Sequence, residues 1–409
     1  MNGKSLFLTH LSRKFSLTFL VALFSGFALS ASLPQEHNEE HATENEAFNS
    51  ITHDDHSGHG EGEHIPKPFS AGEMIMEHIS DAHDWHLWGD HHNAVSIPLP
   101  IIAYIPDSGI TCFSSSHFHH GTEAYEGLML DGQKLIRVDK NGAPLMVVEL
   151  EDAEDEAGNI TQVEVVSPSP VYDFSITKNA ISIMIASILI LWLMISVARA
   201  YKKNPGRAPR KMQNAVETCI CFVRDEIARP LIGEKQYARF MPFLLTIFFF
   251  IWINNMLGLV PFFPGGANTT GNVAIPLVLA TIVFLITNIN GKKTYWRHTF
   301  AMPGIPWPVL IILTPIEIAQ IFIRPIVLLI RLFANIMAGH IAMLVFFSLI
   351  FIFSNNGESL VGGLGAAVPS VAFTIFLFFL ELLVAAIQAY VFTLLTAIYF
   401  GMAVQEDHH

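Results

Sequence analysis

Strongly polar side chains stand inside two long apolar runs near the C-terminal end of the sequence, among them Glu317, Arg324, Arg331, Asn335 and His340 in the first and Glu381 and Gln388 in the second. A charge near the centre of a bilayer costs about 2.5–3.5 kcal/mol on insertion scales, so each of these groups needs a compensating role. A His beside a carboxylate can pass a proton along, because neutral imidazole both donates and accepts and its ordinary pKa is about 6.5. An Arg cannot, since it stays protonated, and it acts instead as a fixed positive charge. Proton transfer past a permanent cation is the chemistry these residue types allow. A plainer reading of the same residues is that they satisfy one another and hold helix register. Arg324, toward the cytoplasmic end of its run, is also long enough to snorkel.

Spacing says which of these groups can meet. On an ideal helix Glu317, Arg324 and Arg331 repeat every seven residues and share a face, with Asn335 one turn further along. His340 is nine residues from Arg331 and points to the opposite side. The two apolar runs, 309–353 and 368–398, would be about 68 Å and 46 Å long as helices, whereas a bilayer core is about 30 Å thick. Such helices are either broken or strongly tilted. Residues 354–365 supply a turn with Asn355, Asn356, Gly357, Gly362 and Gly363, so a long tilted hairpin is expected. Folding about residue 360 places positions whose numbers sum to about 720 opposite each other, which faces His340 with Glu381 and Arg331 with Gln388.

The surrounding chain of 409 residues is 51% hydrophobic and only 14% charged, with a mean hydropathy of +0.43, against about 25% charged residues in soluble domains. These values point to an integral membrane protein and against a soluble enzyme. Charge is divided unevenly: residues 31–178 hold 27 Asp and Glu against 5 Lys and Arg, and residues 179–409 hold 9 against 15. An acidic half joined to an apolar one excludes nucleic acid as a partner, since phosphate binding needs clustered cations on an exposed face. Three cysteines are too few for a disulfide framework.

A first membrane helix is expected at 181–197, followed at once by Arg199, Lys202, Lys203, Arg207, Arg210 and Lys211, which mark the cytoplasmic side. Spans at 243–260 and 273–289 follow. The loop 261–270 between them has no charge, whereas the next loop carries Lys292, Lys293, Arg297 and His298. Residues 211–231, of mixed charge, read as an amphipathic helix on the cytoplasmic surface. The first thirty residues read as a secretory signal, with Lys4, Arg13 and Lys14 before an apolar stretch and cleavage near Ser30. An uncleaved first helix would leave the remaining topology unchanged. The expected fold is an all-α integral membrane protein with five transmembrane helices after the signal peptide, its N-terminus outside and its C-terminus inside. The last two helices form the long tilted hairpin, and a small β-containing extramembrane segment precedes the membrane part.

The run RPIVLLIRLFANIMAGH from Arg324 to His340, with ELLVAAIQAYVFTLLTAIYFGMA from Glu381 to Ala403, closely resembles subunit a of F-type ATP synthase, the stator subunit beside the rotating ring of c subunits. Agreement extends back through IPWPVLIILTPIEIAQIFI and MPFLLTIFFFIWINNMLGLVPF to about residue 179, somewhat over half the chain. The family's R-L-F-x-N box places its essential arginine on Arg331 and its asparagine on Asn335. Its glutamine falls on Gln388 and an acidic residue of the cytoplasmic approach on Glu317. One common version of the pattern has Glu in an A-G-E slot and His seven residues before the glutamine; here those slots hold His340 and Glu381. That exchange is expected if the two groups touch and either order serves.

The resemblance implies two aqueous half-channels and no cofactor. A proton would enter from outside past His340 and Glu381 and neutralise a carboxylate of the ring, and another would leave near Glu317, with Arg331 keeping the routes apart. The implied partners are the c-subunit ring, the b-subunit stalk, other synthase subunits and the lipid bilayer of a bacterial inner membrane. No P-loop occurs, so the chain is expected to support ATP synthesis without being catalytic alone.

Residues 31–178 exceed the family's usual short N-terminus and hold 14 of the 19 histidines. Among them are His53, His56, His59 and His64, then His83, His86, His91 and His92, then His117, His119 and His120. Their spacing permits Zn or Cu ligation without requiring it. A solvated acidic tail is the plainer reading, and proton buffering at the channel mouth a third; no metal ligand is assigned. KLIRVDKNGAPLMVVEL reads as a hairpin with Asn141 and Gly142 in its turn. The expected domains are a signal peptide at 1–30, an acidic His-rich flexible segment at 31–97, a small β-containing periplasmic region at 98–178 and a membrane proton-channel domain at 179–409. The competing function is a His-rich metal-ion permease. Its path would need several ligands at membrane depth, where His340, Glu317 and Glu381 are too dispersed for one coordination shell.

Overall fold

The computed structural model describes residues 70–405 apart from 89–94, 107, 122, 140–141, 155–159, 204, 206–207, 211, 261–262, 264, 301, 303 and 356–358. The expected signal peptide, the histidines from His37 to His64, His91 and His92, and Asn141, Asn356 and Gly357 lie outside the described residues. A helix α1 (Ala71–Ile79) precedes a hairpin of β1 (Asp84–Trp88) and β2 (Val95–Pro98), so regular structure occurs inside the stretch expected to be flexible. In β3 (Pro100–Ile105) apolar residues recur at every second position, which puts Ile101, Ala103 and Ile105 on one buried face. They meet Phe118, Leu128 and Leu135 in a small core. Strand β3 pairs antiparallel with β4 (Gly109–Ser114) over its whole length.

The hairpin expected around Asn141 and Gly142 is present in short form: Val138 bridges Pro144, Asp139 N donates to Ala143 O at 2.8 Å and Leu145 N donates to Arg137 O at 2.9 Å. The longer ladders join other segments, β5 (Leu128–Asp131) with β6 (Lys134–Arg137) and β7 (Met146–Glu154) with β8 (Ile160–Pro168). Gly132, at φ +57°, closes the two-residue loop between β5 and β6, which suits strand twist. Pro144 has no N–H to extend the short hairpin's ladder. A short β9 (Tyr172–Asp173) completes the sheet on the free edge of β3.

Helix α2 (Lys178–Lys203) begins where this outer part ends. Lys178 N donates to Ala82 O at 3.0 Å, and Asn179 N donates to Asp81 Oδ1 at 3.0 Å, so residues 81–82 satisfy the helix's first amides. Burial pushes the Asp81 carboxyl above its ordinary value, although the Asn179 N–H favours the ionised form. Burial opposes ionisation of Asp173 too, but His83, whose Nε2 lies 2.6 Å from Asp173 Oδ2, outweighs it and holds that carboxyl below its usual range.

Helix α3 (Met212–Phe222) continues through wide turns at Val223–Ala228 into α4 (Arg229–Ile232). Val216, Ile220, Val223 and Ile227 are buried along one face, as expected of an amphipathic helix. Helix α5 (Tyr237–Gly258) is the centre of the membrane half: its apolar window is 78% buried, against 17% for either arm of the C-terminal hairpin. Helix α6 (Ala274–Ile289) is followed after a bend of 102° by α7 (Lys293–Phe300). Among the described residues four helices are long and apolar enough to cross a membrane, or five if this bent pair is one span.

The hairpin itself is α8 (Trp307–Phe353) and α9 (Leu360–Val404), two helices of 47 and 45 residues that continue unbroken through Pro315, Pro325 and Pro369. Each is about 70 Å long at 1.5 Å per residue. The turn is shorter than expected, because α9 starts at Leu360 rather than near residue 368. Ser359 Oγ accepts from Gly362 N at 3.2 Å and starts the helix early. Gly362 then passes so close to α8 that a Cβ there would lie 2.1 Å from Phe353 O.

Candidate functional site

The two arms pack along each other and settle the register. Phe346 stacks on Phe373 with ring centroids 5.1 Å apart, His340 meets Glu381, and Arg324 lies 6.0 Å over the Tyr399 ring. Each pair adds to within three of 720, so the fold-back expected about residue 360 describes the pairing.

His340 Nδ1 and Glu381 Oε1 are hydrogen-bonded, and both residues are buried, at 7% and 3% exposure. Glu381 Oε2 is buried with no hydrogen-bond partner among the described residues. One carboxylate oxygen is thus engaged by the imidazole, and the other is free to take a proton or a water. Gly339 makes room for this contact: a Cβ there would lie 3.0 Å from Glu381 Oε1 and 3.1 Å from its Cδ. That glycine was not among the residues expected to matter, although it immediately precedes His340.

The second expected pair is not joined. Gln388 is buried at 6% exposure and Arg331 is half-buried, yet no hydrogen bond connects them among the described residues. Arg331 lies instead in the electrostatic neighbourhood of the Tyr399 hydroxyl, together with Arg324. Arg324 is held on its own helix by Gln320 Oε1, which accepts from its Nη2 at 3.0 Å. It therefore has partners within the protein rather than only a snorkelling end. Glu317 and Arg324 both act on Tyr295 of α7, so the end of α8 that carries Glu317 faces the bent helix. Asn335 is exposed on α8.

Polar groups from α5 and the loop after it reach the helix turns next to the buried pair. Asn255 Nδ2 donates to Ala385 O at 3.4 Å, one turn beyond Glu381, while Asn255 Oδ1 accepts from Thr270 Oγ1 at 2.7 Å. Asn268 Nδ2 approaches Met337 Sδ at 3.9 Å, three residues before His340. Asn255, Asn268 and Thr270 are all buried. Two adjacent amides in an otherwise apolar span, Asn254 and Asn255, were the available signal. Their partners, 130 residues away in one case, were not readable from it.

Histidines of the outer part have local partners. His83 meets Asp173, His117 lies 4.3 Å from the Tyr125 ring, and His119 is 3.7 Å from Glu123. Among the described residues no three His, Cys, Asp or Glu side chains are grouped to hold a metal ion.

A family model for the ATP synthase A chain matches residues 180–401. The chain belongs to that family. It is 40% identical over 242 residues to ATP synthase subunit a of Chloroherpeton thalassium, covering 58% of this chain and 69% of that protein. It is 40% identical over 245 residues to ATP synthase subunit a 2 of Chlorobaculum tepidum, covering 58% and 66%. It is 37% identical over 235 residues to ATP synthase subunit a of Rhodococcus erythropolis, covering 56% and 83%. The A-chain match includes Glu317, Arg331, Asn335, His340, Glu381 and Gln388. A second model, for a domain of unknown function (DUF8433), matches residues 74–159, so the outer part is distinct from the A chain.

Proposed function

We propose that this chain, as a proton-translocating subunit of the membrane sector of ATP synthase, carries protons through two offset half-channels that meet at the hairpin. The observation that carries the reading is the buried His340–Glu381 pair, set nine residues along α8 from the half-buried Arg331. A proton from outside is taken by the His340–Glu381 pair and passed to a carboxylate of the c-subunit ring. Arg331 favours the ionised form of each ring carboxylate as it passes and, being permanently charged, blocks direct transfer to the other side. Gln388 and Asn335 flank that charge, and the released proton leaves by Glu317.

Both arms leave their outward sides apolar and uncovered, which suits lipid and a ring of apolar helices as neighbours. The b-subunit stalk and the other synthase subunits complete the set of partners. On a reading of five crossings, counting α6 with α7, residues before Lys178 lie outside a bacterial inner membrane and the C-terminus inside; the Lys and Arg after α2 support that orientation. One proton crossing roughly 150 mV releases about 3.5 kcal/mol, so several must cross for each ATP made elsewhere in the complex. The domain reading keeps 1–30 as a signal peptide and 179–409 as the channel.

Arg331→Ala is expected to abolish proton-driven ATP synthesis in complexes that still assemble, and Arg331→Lys to rescue poorly, because an ammonium lacks the planar fork and shifts its pKa more readily. Near-normal synthesis by assembled Arg331→Ala complexes would falsify the mechanism.

A further inference from the structure

Among the described residues, the outer part touches the membrane half through residues 71–88 in three ways. Helix α1 packs on the long arm α8. Residues 81–82 hold the first amides of α2. Trp85, at 3% exposure, places its ring edge-to-face against Phe263, with centroids 5.1 Å apart and planes at 69°. Phe263 belongs to the loop between α5 and α6, the same loop that carries Asn268 and Thr270.

That loop has little slack. Gly266 N donates back to Leu257 O at 3.2 Å, a Cβ on Gly265 would lie 2.4 Å from Val260 O, and a Cβ on Gly258 would lie 3.2 Å from Ala267 O. A loop folded this tightly onto the end of α5 shifts as a unit when one of its side chains is released. Its inner end sets the Thr270–Asn255–Ala385 contacts and the approach of Asn268 to Met337, which brace α9 and α8 within one turn of Glu381 and His340.

We infer that Trp85 is a positioning residue for proton entry: its contact with Phe263 holds the α5–α6 loop where Asn268, Thr270 and Asn255 brace the turns of α8 and α9 next to the His340–Glu381 pair. The outer part is thereby a structural component of the outside half-channel. The inference rests on the two-half-channel reading above and extends it to residues outside the A-chain match. Trp85 takes no proton itself; it acts through an apolar ring contact, so a smaller aromatic at the same position keeps most of its effect.

The test uses the full complex in inverted membrane vesicles, measuring passive proton conduction after the catalytic sector is stripped, at matched amounts of the chain. Trp85→Ala is expected to lower conduction roughly two- to ten-fold, the weight of one edge-to-face ring pair. Trp85→Phe is expected to restore conduction. Phe263→Ala should give a similar loss, and the double variant should be no worse than either single one, because both remove the same contact. Should Trp85→Ala fail to assemble, Phe263→Ala decides, since Phe263 is 46% exposed and its truncation leaves the fold intact. Parent-like conduction by Phe263→Ala or by assembled Trp85→Ala, or losses that multiply in the double variant, would overturn the inference. Arg331→Ala, assayed alongside for ATP synthesis, separates the two failures: its loss of synthesis with parent-like Trp85→Ala retains the half-channels and removes only the positioning role.

Discussion

His340 and Glu381 bring together what the proposed proton transfer needs: an imidazole, which can both donate and accept, and a carboxylate whose second oxygen has no hydrogen-bond partner among the described residues. Either order of the two residues supplies the same pair, which explains why their slots can be exchanged relative to a common family pattern. His340→Glu sets two carboxylates side by side and Glu381→His sets two imidazoles; neither pair can hold both charges at once. Each single change is expected to slow proton pumping roughly ten-fold or more, about 1.4 kcal/mol on the barrier. The double exchange, His340→Glu with Glu381→His, should recover much of the loss. Pumping in vesicles measured for all four variants gives the coupling directly, and defects that merely add in the double variant would mean that the residues do not act as a pair. Gly339 belongs to the same scale, since the absent methyl beside His340 lets the carboxylate approach.

Among the elements, the hairpin arms are held at two very different closures. At the turn, glycines let α9 begin against Phe353. At the far end Gly401 lets α9 pass α4 so closely that a Cβ would lie 2.1 Å from Leu231 O. Backbone cannot yield there as a side-chain tip would, so Gly401→Val is expected to destabilise the packed state by about 1–3 kcal/mol. The thermal denaturation of the purified complex reads this as a lowered transition. Gly365 is the control on the same helix: nothing lies within 4 Å of its added Cβ, so Gly365→Ala should be neutral or stabilise by up to ~1 kcal/mol through helix propensity. Equal effects from the two substitutions would show that the α9–α4 contact is not a constraint.

For the whole molecule, the division between acidic outer half and apolar inner half is bridged rather than loose. Residues 71–88 reach α8, α2 and the α5–α6 loop, and the His83–Asp173 contact closes the outer sheet over the start of α2. The acidic, His-rich tract His37–His64 lacks the apolar periodicity of a packed element. Deleting it is expected to leave assembly and proton pumping unchanged within about 0.5 kcal/mol, the usual range for surface changes. Measuring both in a strain carrying the deletion checks this, and loss of assembly or a stoichiometric metal bound in that tract would assign it a structural role.

Much of the site was readable from the sequence because a helix converts number into height. Both arms are unbroken, rise evenly at about 1.5 Å per residue and share one turn, so opposing positions follow by arithmetic. His340 and Glu381 could therefore be paired from the sequence alone, as could the common face of Glu317, Arg324 and Arg331. Height does not give rotation about the helix axis, and packing against α5, α7 and the loop beyond α5 decides that. This is why Gln388 is buried without meeting Arg331, why Arg324 lies over Tyr399, and why Asn255 and Thr270 reach the site. Strand pairing was readable only in part: the short hairpin across Gly142 was expected, whereas the pairing of β5 with β6 through the turn at Gly132 and of β7 with β8 was not. Local pattern determined which segments are helices and where charge must be accommodated; competition among distant partners, which only the folded chain resolves, determined what each charge and each ring touches.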